Sequence, residues 1–318
     1  MIQDIVFLAV GLAVLLVSGD ILVRGAVALA TAINVPPLLV GLTIVAFGTS
    51  APELVVAIQA VLQDKDGIAI GNIVGSNIAN VLLVIGLPAL IYPMSAHVSG
   101  LPRNAAFMLA ATAAFCAFAF IDRAITPASG LALFIGIIGF VAFAGLRAAK
   151  TGGEDPIIDD VAEYGGGGLS VRTVLFLIFG LVGLPFGAQL LVENGVAIAA
   201  SLGVRESLIG LTLVAFGTSL PELATVAAAA LHKKSDVAIG NIVGSNIFNL
   251  LAVGGAAGLA GGASFDQSAL SFDLPVMIAT AVLLAGFVFL KRDIGRVSGL
   301  CMALGYVGFV AILAARGL

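Results

Sequence analysis

Two blocks of the sequence each occur twice, at the same spacing. GLTIVAFGTS begins at Gly41 and returns as GLTLVAFGTS at Gly210, with nine identities in ten. GNIVGSNIAN begins at Gly71 and returns as GNIVGSNIFN at Gly240, again with nine identities in ten. Both pairs are 169 positions apart (210 − 41 and 240 − 71), so no insertion separates the blocks. The chain is therefore predicted to fold as two copies of one structural unit.

The composition places both copies in a membrane. Of the 318 residues, 60% are hydrophobic and only 10% are charged, and the mean hydropathy is +1.18. A soluble protein of this size carries far more charge on its surface. The first apolar run is longer than the core of a signal peptide, so we expect it to stay as a membrane helix. No strong basic tract is present, which argues against a nucleic-acid partner.

Ten apolar stretches reach the length of about 20 residues that a helix needs to cross a bilayer. They lie near residues 4–32, 37–62, 69–93, 102–121, 127–148, 171–200, 206–231, 237–261, 272–290 and 296–315. The predicted fold class is an all-α polytopic membrane protein. With the N-terminus outside, the cytoplasmic loops hold nine Lys and Arg residues and the external side holds four. The excess of positive charge predicts both termini outside a cell (inner) membrane that the chain crosses many times.

Each half of the chain holds five of these stretches, which is an odd number. Residues 1–148 form the first predicted repeat, and residues 171–318 form the second. The second repeat must therefore cross the membrane in the opposite direction. Such inverted repeats, with helices broken at mid-membrane, are typical of secondary transporters, whose substrate site lies between the repeats. Residues 149–170 are acidic and rich in Gly, which predicts a solvated cytoplasmic linker.

The first repeated motif combines a carboxylate with neutral oxygen atoms. On a helix, Thr49 and Ser50 precede Glu53 by four and three residues and share its face. Pro52 has no N–H and its ring crowds the Gly48 carbonyl, so that carbonyl is expected to lose its helical partner and the kink to free its neighbours at Ala46 and Phe47. Oxygen ligands of these kinds suit hard cations such as Na⁺ and Ca²⁺. Neither motif contains Cys or His, so Zn²⁺ and Cu⁺ are poor candidates.

The second repeated motif adds further polar groups. Ser76 and Asn80 lie one helical turn apart and face the same way, and the second copy places Ser245 and Asn249 likewise. Within each copy, two glycines four residues apart would let a neighbouring helix approach closely. If the inverted repeats face one another, all four motif copies meet around one site. Because a carboxylate at the bilayer centre is costly, the duplicated glutamates indicate a function rather than packing.

Other ionisable groups also lie in the apolar stretches. Asp20 and Arg24 share one face of the first stretch, and Glu193 lies on the sixth. Arg24 and Glu193 correspond in the two repeats, and inversion would place them at opposite membrane ends, where they do not pair. Snorkelling or local pairing is the favoured interpretation, and a role near an ion entrance is the alternative. His97 and His232 are predicted to be solvated at loop edges.

At GTSAPE, GTSLPE and the two GNIVGSNI runs, the sequence resembles the cation/calcium exchanger superfamily, most closely its prokaryotic sodium/calcium exchangers. The ten-span layout extends this resemblance to the whole chain. The resemblance implies an antiporter that exchanges Na⁺ for Ca²⁺ by alternating access, with the Na⁺ gradient driving Ca²⁺ out. It also implies that the first and sixth helices slide across the others as a gate. The two ions are the substrates, and no cofactor or obligate protein partner is implied.

The resemblance also implies a role for each matching residue. Two carboxylates would bridge Ca²⁺ and Na⁺, hydroxyl and carbonyl oxygens would complete their shells, and further carbonyls and serines would serve flanking Na⁺ sites. The carboxylates are those of Glu53 and Glu222; the shell hydroxyls belong to Ser50 and Ser219 and the shell carbonyls to Thr49 and Thr218; the flanking ligands are the carbonyls of Ala46 and Ala215 with Ser76 and Ser245; Asn80 and Asn249 complete the set.

One position departs from the pattern. Some relatives carry Asp where this chain has Asn249, beside an Asn in the first repeat. Here Asn80 and Asn249 are both neutral, which makes the site more symmetric and removes one possible proton carrier. We expect transport that does not depend on K⁺.

Two other functions remain open at this stage. A Ca²⁺/H⁺ exchanger could use the same carboxylates, and flux driven by a pH gradient without Na⁺ would identify it. A cation channel is the alternative of another class, and saturable counterflow would exclude it. No pair of nucleophile and base is evident in the sequence, so an enzyme is not expected. Cys116 and Cys301 lie in apolar runs without metal-ligand spacing and are interpreted as core or lipid-facing residues.

Overall fold

The computed structural model describes residues 2–33, 35, 37–151, 170–202 and 215–316. The helices of the first half are α1 (Ile2–Ala32), α2 (Pro37–Thr49), α3 (Ala51–Leu62), α4 (Asp66–Ile91), α5 (Leu101–Asp122) and α6 (Pro127–Thr151). Those of the second half are α7 (Val171–Ser201), α8 (Ala215–Thr218), α9 (Leu220–Leu231), α10 (Ser235–Ala260), α11 (Ala269–Phe289) and α12 (Arg296–Ala315).

Within the described residues, eight helices are long and apolar enough to cross a membrane, and the bent pair of α2 and α3 would be a ninth. The prediction of a helical, multi-pass membrane protein is confirmed. The seventh predicted stretch, 206–231, is described only from residue 215, so the count of ten spans stays a prediction. The predicted linker at 149–170 lies outside the described residues, apart from both of its ends.

The duplication seen in the sequence extends to the bounds of the helices. Helix α7 begins and ends 169 positions after α1, and the same shift relates α9 to α3 and α10 to α4. Both α4 and α10 contain a widened π-helical turn, at Asn80–Ile85 and at Asn249–Val253. Each of these turns begins at the candidate asparagine of its motif. Such turns occur often at functional sites, because they shift the side chains that follow.

Two short backbone pairings follow the same rule. Strand β1 (Ala124–Ile125) pairs antiparallel with β2 (Ala263–Ser264), which places Ile125 opposite Ala263. A single bridge joins Met94 to Ile294. Adding 169 to Met94 gives position 263, and adding it to Ile125 gives position 294, so the two pairings are equivalent contacts with the repeats exchanged. The sequence analysis did not predict these strands, since runs of two residues carry no periodic signal.

Helices α4 and α10 form the centre of the bundle. Their most apolar stretches are 83% and 89% buried, whereas those of α1 and α7 are 28% and 22% buried. The outer helices α1 and α7 pack against each other through glycines: a Cβ on Gly187 would lie 2.8 Å from the Leu15 nitrogen. Without a strong hydrophobic force between helices in lipid, small residues of this kind allow the close packing that holds them together.

The predicted close approach at the second motif is confirmed for one of its two copies. Helix α2 crosses α10 at Gly240 and Gly244, and a Cβ on Gly244 would lie only 2.6 Å from the Leu42 carbonyl oxygen. For Gly71 and Gly75 in α4, no atom of the described chain lies within 4 Å of such a Cβ.

A buried carboxylate site between the two repeats

Each glutamate of the repeated motif sits just beyond a break in its helix. The axes of α2 and α3 differ by 42°, and Ser50 at the break has φ −87° and ψ 5°. Ser219 has φ −87° and ψ 3°, so the second repeat breaks in the same way. A proline follows two residues later in both copies. Proline is disfavoured within a helix but suits its first turn, so each proline fixes the start of a new helix.

One detail of the expected break is wrong. The Ala46 carbonyl was expected to be freed, but it accepts the Ser50 N–H at 3.0 Å and the Thr49 hydroxyl at 3.3 Å. The reason is that the helical hydrogen bond from Ser50 survives and the chain bends only after it. Proline removes only the bond that its own nitrogen would make, and for Pro52 the acceptor of that bond would be the Gly48 carbonyl rather than that of Ala46. The equivalent Ala215 lies in α8.

The break places both glutamates at the start of a helix and inside the protein. Glu53 lies in the first turn of α3 and Glu222 in the first turn of α9. Their exposed fractions are 1% and 0%. The N-terminal end of a helix carries partial positive charge and favours an anion there. Within the described residues neither carboxylate forms an ion pair, so the helix ends are not supplemented by a basic side chain.

Contacts across the repeats bring the two motifs together. The Ser50 hydroxyl donates to Oε1 of Glu222 at 3.3 Å. The Thr49 hydroxyl lies 3.5 Å from that of Ser245. These residues are separated by more than 170 positions in the chain and are all at most 3% exposed. The expected meeting of the two halves around one site is therefore present in the structure.

Four asparagines of the second motif, beyond Asn80 and Asn249, were not predicted as site residues, and three of them take part in this network. The Asn80 amide donates to the Asn246 oxygen at 3.0 Å, and the Thr49 hydroxyl donates to the Asn241 oxygen at 3.4 Å. In the first repeat, Asn72 donates to the Glu53 carbonyl at 2.9 Å. The fourth, Asn77, bonds its own helix. Their recurrence at the repeat spacing was the available signal, but it did not separate ligands from supports.

Much of the polar surface in the site has no hydrogen-bond partner among the described residues. Both carboxylate oxygens of Glu53 and one of Glu222 are in this state. So are both amide atoms of Asn249, the oxygen of Asn80 and the hydroxyl of Ser219. Buried polar atoms are seldom left unpaired in a folded protein. Cations coordinated by oxygen would satisfy the carboxylate, amide and hydroxyl oxygens among them.

The remaining predicted residues are placed less tightly. Ser76 is 4% exposed and lies in α4 one turn before Asn80, as expected. Thr218 ends α8 and is only partly buried. No cluster of three or more His, Cys, Asp or Glu side chains that could hold a metal occurs in the described part of the chain. The negative charge of the site comes from its two carboxylates, and the other oxygens are neutral.

Four of the ionisable groups named in the sequence analysis, Asp20, Arg24, Glu193 and His232, have polar partners away from the site. Asp20 and Arg24 form an ion pair of 2.9 Å on α1, as the favoured interpretation held. His232 was expected to be solvated, but its ring contacts Asp20 and its side chain is 26% exposed. This tertiary contact joins residues 212 positions apart, which a local pattern does not reveal. Glu193 accepts a hydrogen bond of 2.7 Å from Gln189 on α7.

A second histidine joins two loops at the membrane surface. The His97 ring, the Ser95 hydroxyl and the Ala96 N–H all lie within 3.2 Å of one Asp293 oxygen. Partial burial raises the pKa of the Asp293 carboxyl, but the hydrogen bonds from His97, Ser95 and Ala96 outweigh it and hold that pKa below its ordinary value.

Known proteins are similar to this chain in both sequence and fold. The profile of the family described as sodium/calcium exchanger protein matches residues 4–146 and 172–315. The putative antiporter CaxA of Alkalimonas amylolytica is 39% identical over 321 residues, which cover 98% of this chain and 99% of that protein. The sodium/calcium exchanger MaX1 of Methanosarcina acetivorans is 33% identical over 344 residues, 98% of each chain.

The fold has a close counterpart among solved structures. The sodium-calcium exchanger NCX_Mj, soaked with 10 mM Na⁺ and 10 mM Sr²⁺, superposes with a TM-score of 0.84 at 30% identity over 98% of each chain.

Proposed function

The chain belongs to the sodium/calcium exchanger protein family, and from that premise we propose that it is an antiporter that exchanges Na⁺ for Ca²⁺ by alternating access. The observation that carries the proposal is the pair of buried glutamates, one from each repeat, among neutral oxygen atoms that both repeats supply. The Na⁺ gradient would supply the energy, and Ca²⁺ would leave the cell.

The charge of the site explains why exchange would be coupled. Two carboxylates without a basic partner in the described structure cannot stay bare in a medium of low dielectric. One Ca²⁺ or two Na⁺ would neutralise them. Crossing between the two open states with an empty, doubly charged site would carry a cost that the loaded site avoids. Ca²⁺ would then cross the membrane in one direction only if Na⁺ crosses in the other.

The ligands of the proposed site come from both repeats. The two glutamates would bridge the cations, and the hydroxyls and amides around them would complete the coordination shells. The proposed set is that of the sequence analysis, with Asn241 and Asn246 as supports that orient Thr49 and Asn80. The neutral Asn249 favours exchange that needs no K⁺.

The architecture that we propose is two inverted repeats of five membrane helices each. The equal shift of helix bounds and the exchanged backbone pairings at Met94 and Ile125 support two copies of one unit. The two ranges matched by the family profile, 4–146 and 172–315, support a division at the linker. With both termini outside, α1 and α7 would slide across the others as the gate of a cell-membrane carrier.

Flux into reconstituted vesicles tests the proposal. Vesicles containing the purified chain are loaded with Na⁺, K⁺ or buffer of lower pH and then diluted into ⁴⁵Ca²⁺ without the loaded ion. The proposal expects rapid, saturable Ca²⁺ uptake from the Na⁺-loaded vesicles alone. Uptake driven by the pH gradient without Na⁺ would identify a Ca²⁺/H⁺ exchanger instead, and uptake that does not saturate would identify a channel.

A further inference from the structure

A polar contact ties the gating helix α1 to the end of α9. The Asp20 carboxylate pairs with Arg24 on its own helix through both of its oxygens, and Oδ1 also contacts the His232 ring. His232 follows the last residue of α9, and Lys234 lies beside it on the wall of the same small cavity. The contact of Asp20 with His232 is called the α1 latch below.

The helices are packed tightly beneath the α1 latch. A Cβ on Gly19 would lie 2.8 Å from the Ala224 carbonyl oxygen, so α1 rests directly on the backbone of α9. Ala224 is accordingly only 8% exposed. At this end of the molecule, α1 covers the helix that carries Glu222.

The other end carries the equivalent positions but not the equivalent contact. Shifting by 169 converts Asp20 into Gln189, Arg24 into Glu193, His232 into Gln63 and Lys234 into Lys65. In the structure these residues form two separate pairs. Gln189 donates to Glu193 at 2.7 Å on α7, and Lys65 donates to Gln63 at 2.9 Å after α3. All four side chains are exposed.

The helix face between these two pairs is uncovered as well. Val55 on α3 corresponds to Ala224 on α9, yet it is 52% exposed. Helix α1 packs along α9, whereas the described residues of α7 make no comparable packing with α3. The two ends of the bundle therefore show the two conditions of one contact, closed at α9 and open at α3.

We infer that Glu193 and Lys65 form a second latch, which closes in the opposite state of the transport cycle while the α1 latch opens. The inference rests on the proposed function, because alternating access requires two such states. Two repeats of one sequence reach a second state most simply by exchanging their conformations, so that α7 comes to cover Val55. In this structure Arg24 and Lys234 line the same cavity between α1 and the end of α9. After the exchange, the equivalent residues of the other repeat, Glu193 and Lys65, would lie together in the same way.

The charges suit this exchange. Arg24 and Lys234 are both positive and line the same cavity as His232, which contacts Asp20. Glu193 and Lys65 have opposite charges and would attract one another directly. Each latch would bias the population of one state, because a contact made in one state alone shifts the equilibrium by its own free energy. For partly exposed ion pairs that bias is about two- to fivefold.

Cysteine cross-linking in vesicles tests the second latch. The two native cysteines are replaced by alanine (C116A and C301A), and the pair K65C with E193C is introduced into the full chain. Copper phenanthroline is added during Ca²⁺ exchange. The latch predicts an intramolecular disulfide that stops exchange, and a reductant should restore it. The pair D20C with H232C should behave in the same way, and each single-cysteine variant should remain active.

The outcomes separate the latch from the proposed function. If the variant with K65C and E193C exchanges ions through many turnovers and never cross-links, the second latch is wrong. If the cysteine-free parent shows no Na⁺-driven Ca²⁺ flux, the proposed function fails instead. Charge reversal gives an independent readout: K65E and E193K alone should change the flux about two- to fivefold, and the double variant should restore it. Effects of K65E and E193K that simply add would also overturn the latch.

Discussion

The two repeats are alike at the buried centre and unlike at the ends of the bundle. At the centre, Ser50 and Ser219 break their helices with backbone angles that agree within a few degrees, and both glutamates beyond them are almost fully buried. At the ends, Asp20 joins His232, whereas the equivalent Gln189 and Gln63 bind elsewhere. The likeness suits a site to which both repeats contribute. The difference suits one state of a gate in which the contacts at the two ends close alternately.

The surface loops repeat this contrast on a smaller scale. The backbone pairings of Met94 with Ile294 and of Ile125 with Ala263 are equivalent under the shift of 169. Beside the first pairing, Asp293 binds His97. Beside the second, the equivalent residues are Ala124 and Asp266, which cannot form such a pair. The shared backbone has thus been kept while the side chains have diverged.

The largest effect is expected at the symmetric centre. E53Q and E222Q each remove one of two buried charges, so a bound cation is left with an uncompensated charge in low dielectric. Breaking such a pair costs about 3–5 kcal/mol, which corresponds to a loss of at least about a hundredfold in Na⁺-driven ⁴⁵Ca²⁺ flux. The matched control is E193Q, an exposed carboxylate of the same chain, with a change of at most about fivefold. Flux close to wild type in either buried variant would contradict the shared site.

An intermediate effect is expected at the two asparagines. Asn80 and Asn249 are equivalent, at most 1% exposed, and each has a side-chain oxygen without a partner in the described chain. N80D and N249D each add a third negative charge, so a further cation is needed for neutrality. We expect flux at a fixed Na⁺ concentration to fall about tenfold in both variants, with partial recovery at higher Na⁺ or with K⁺. If the flux falls in N249D but not in N80D, the two asparagines are not functionally equivalent, although their positions in the structure are.

The smallest effect is expected at the contact of Asp293 with His97, which only one of the two equivalent loops has. The pKa of Asp293 lies below its ordinary value. Its contacts therefore stabilise the fold at any pH above the ordinary pKa, and this stabilisation is lost as the pH falls through the lowered pKa. D293N should therefore lower the melting temperature in detergent by about 1 °C at neutral pH, and its difference from wild type should shrink as the pH falls below the ordinary pKa of an aspartate. S264A, at the position equivalent to Ser95, is the control. A difference for D293N that grows towards acid pH would contradict this account.

The helical fold and the centre of the site were predictable because their signals are periodic or duplicated. Apolar stretches of spanning length gave the helices, and the near-identical copies around Glu53 and Glu222 gave the candidate ligands. The proline in each motif gave the break, although the expectation of a free Ala46 carbonyl was wrong. These features are local or are repeated within the chain, so one sequence contains them.

Contacts between distant residues were not predictable. Asn241 and Asn246 support the site through bonds to the other repeat, and His232 meets Asp20 only because α1 lies on α9. Whether a polar residue in a helix faces a partner or lipid depends on how the helices pack. The exposure of Val55 belongs to one conformational state. Because one sequence specifies all the states of the chain, it does not show which residues are exposed in a particular one.

Equilibrium Ca²⁺ binding tests the central claim most directly, namely that one glutamate from each repeat forms a single exchange site. The purified chain in detergent is titrated with ⁴⁵Ca²⁺ in the absence and presence of Na⁺, beside E53Q, E222Q and the control E193Q. The account predicts saturable Ca²⁺ binding that Na⁺ displaces, lost in both E53Q and E222Q and kept in E193Q. Retention of Na⁺-sensitive Ca²⁺ binding in either E53Q or E222Q would contradict it.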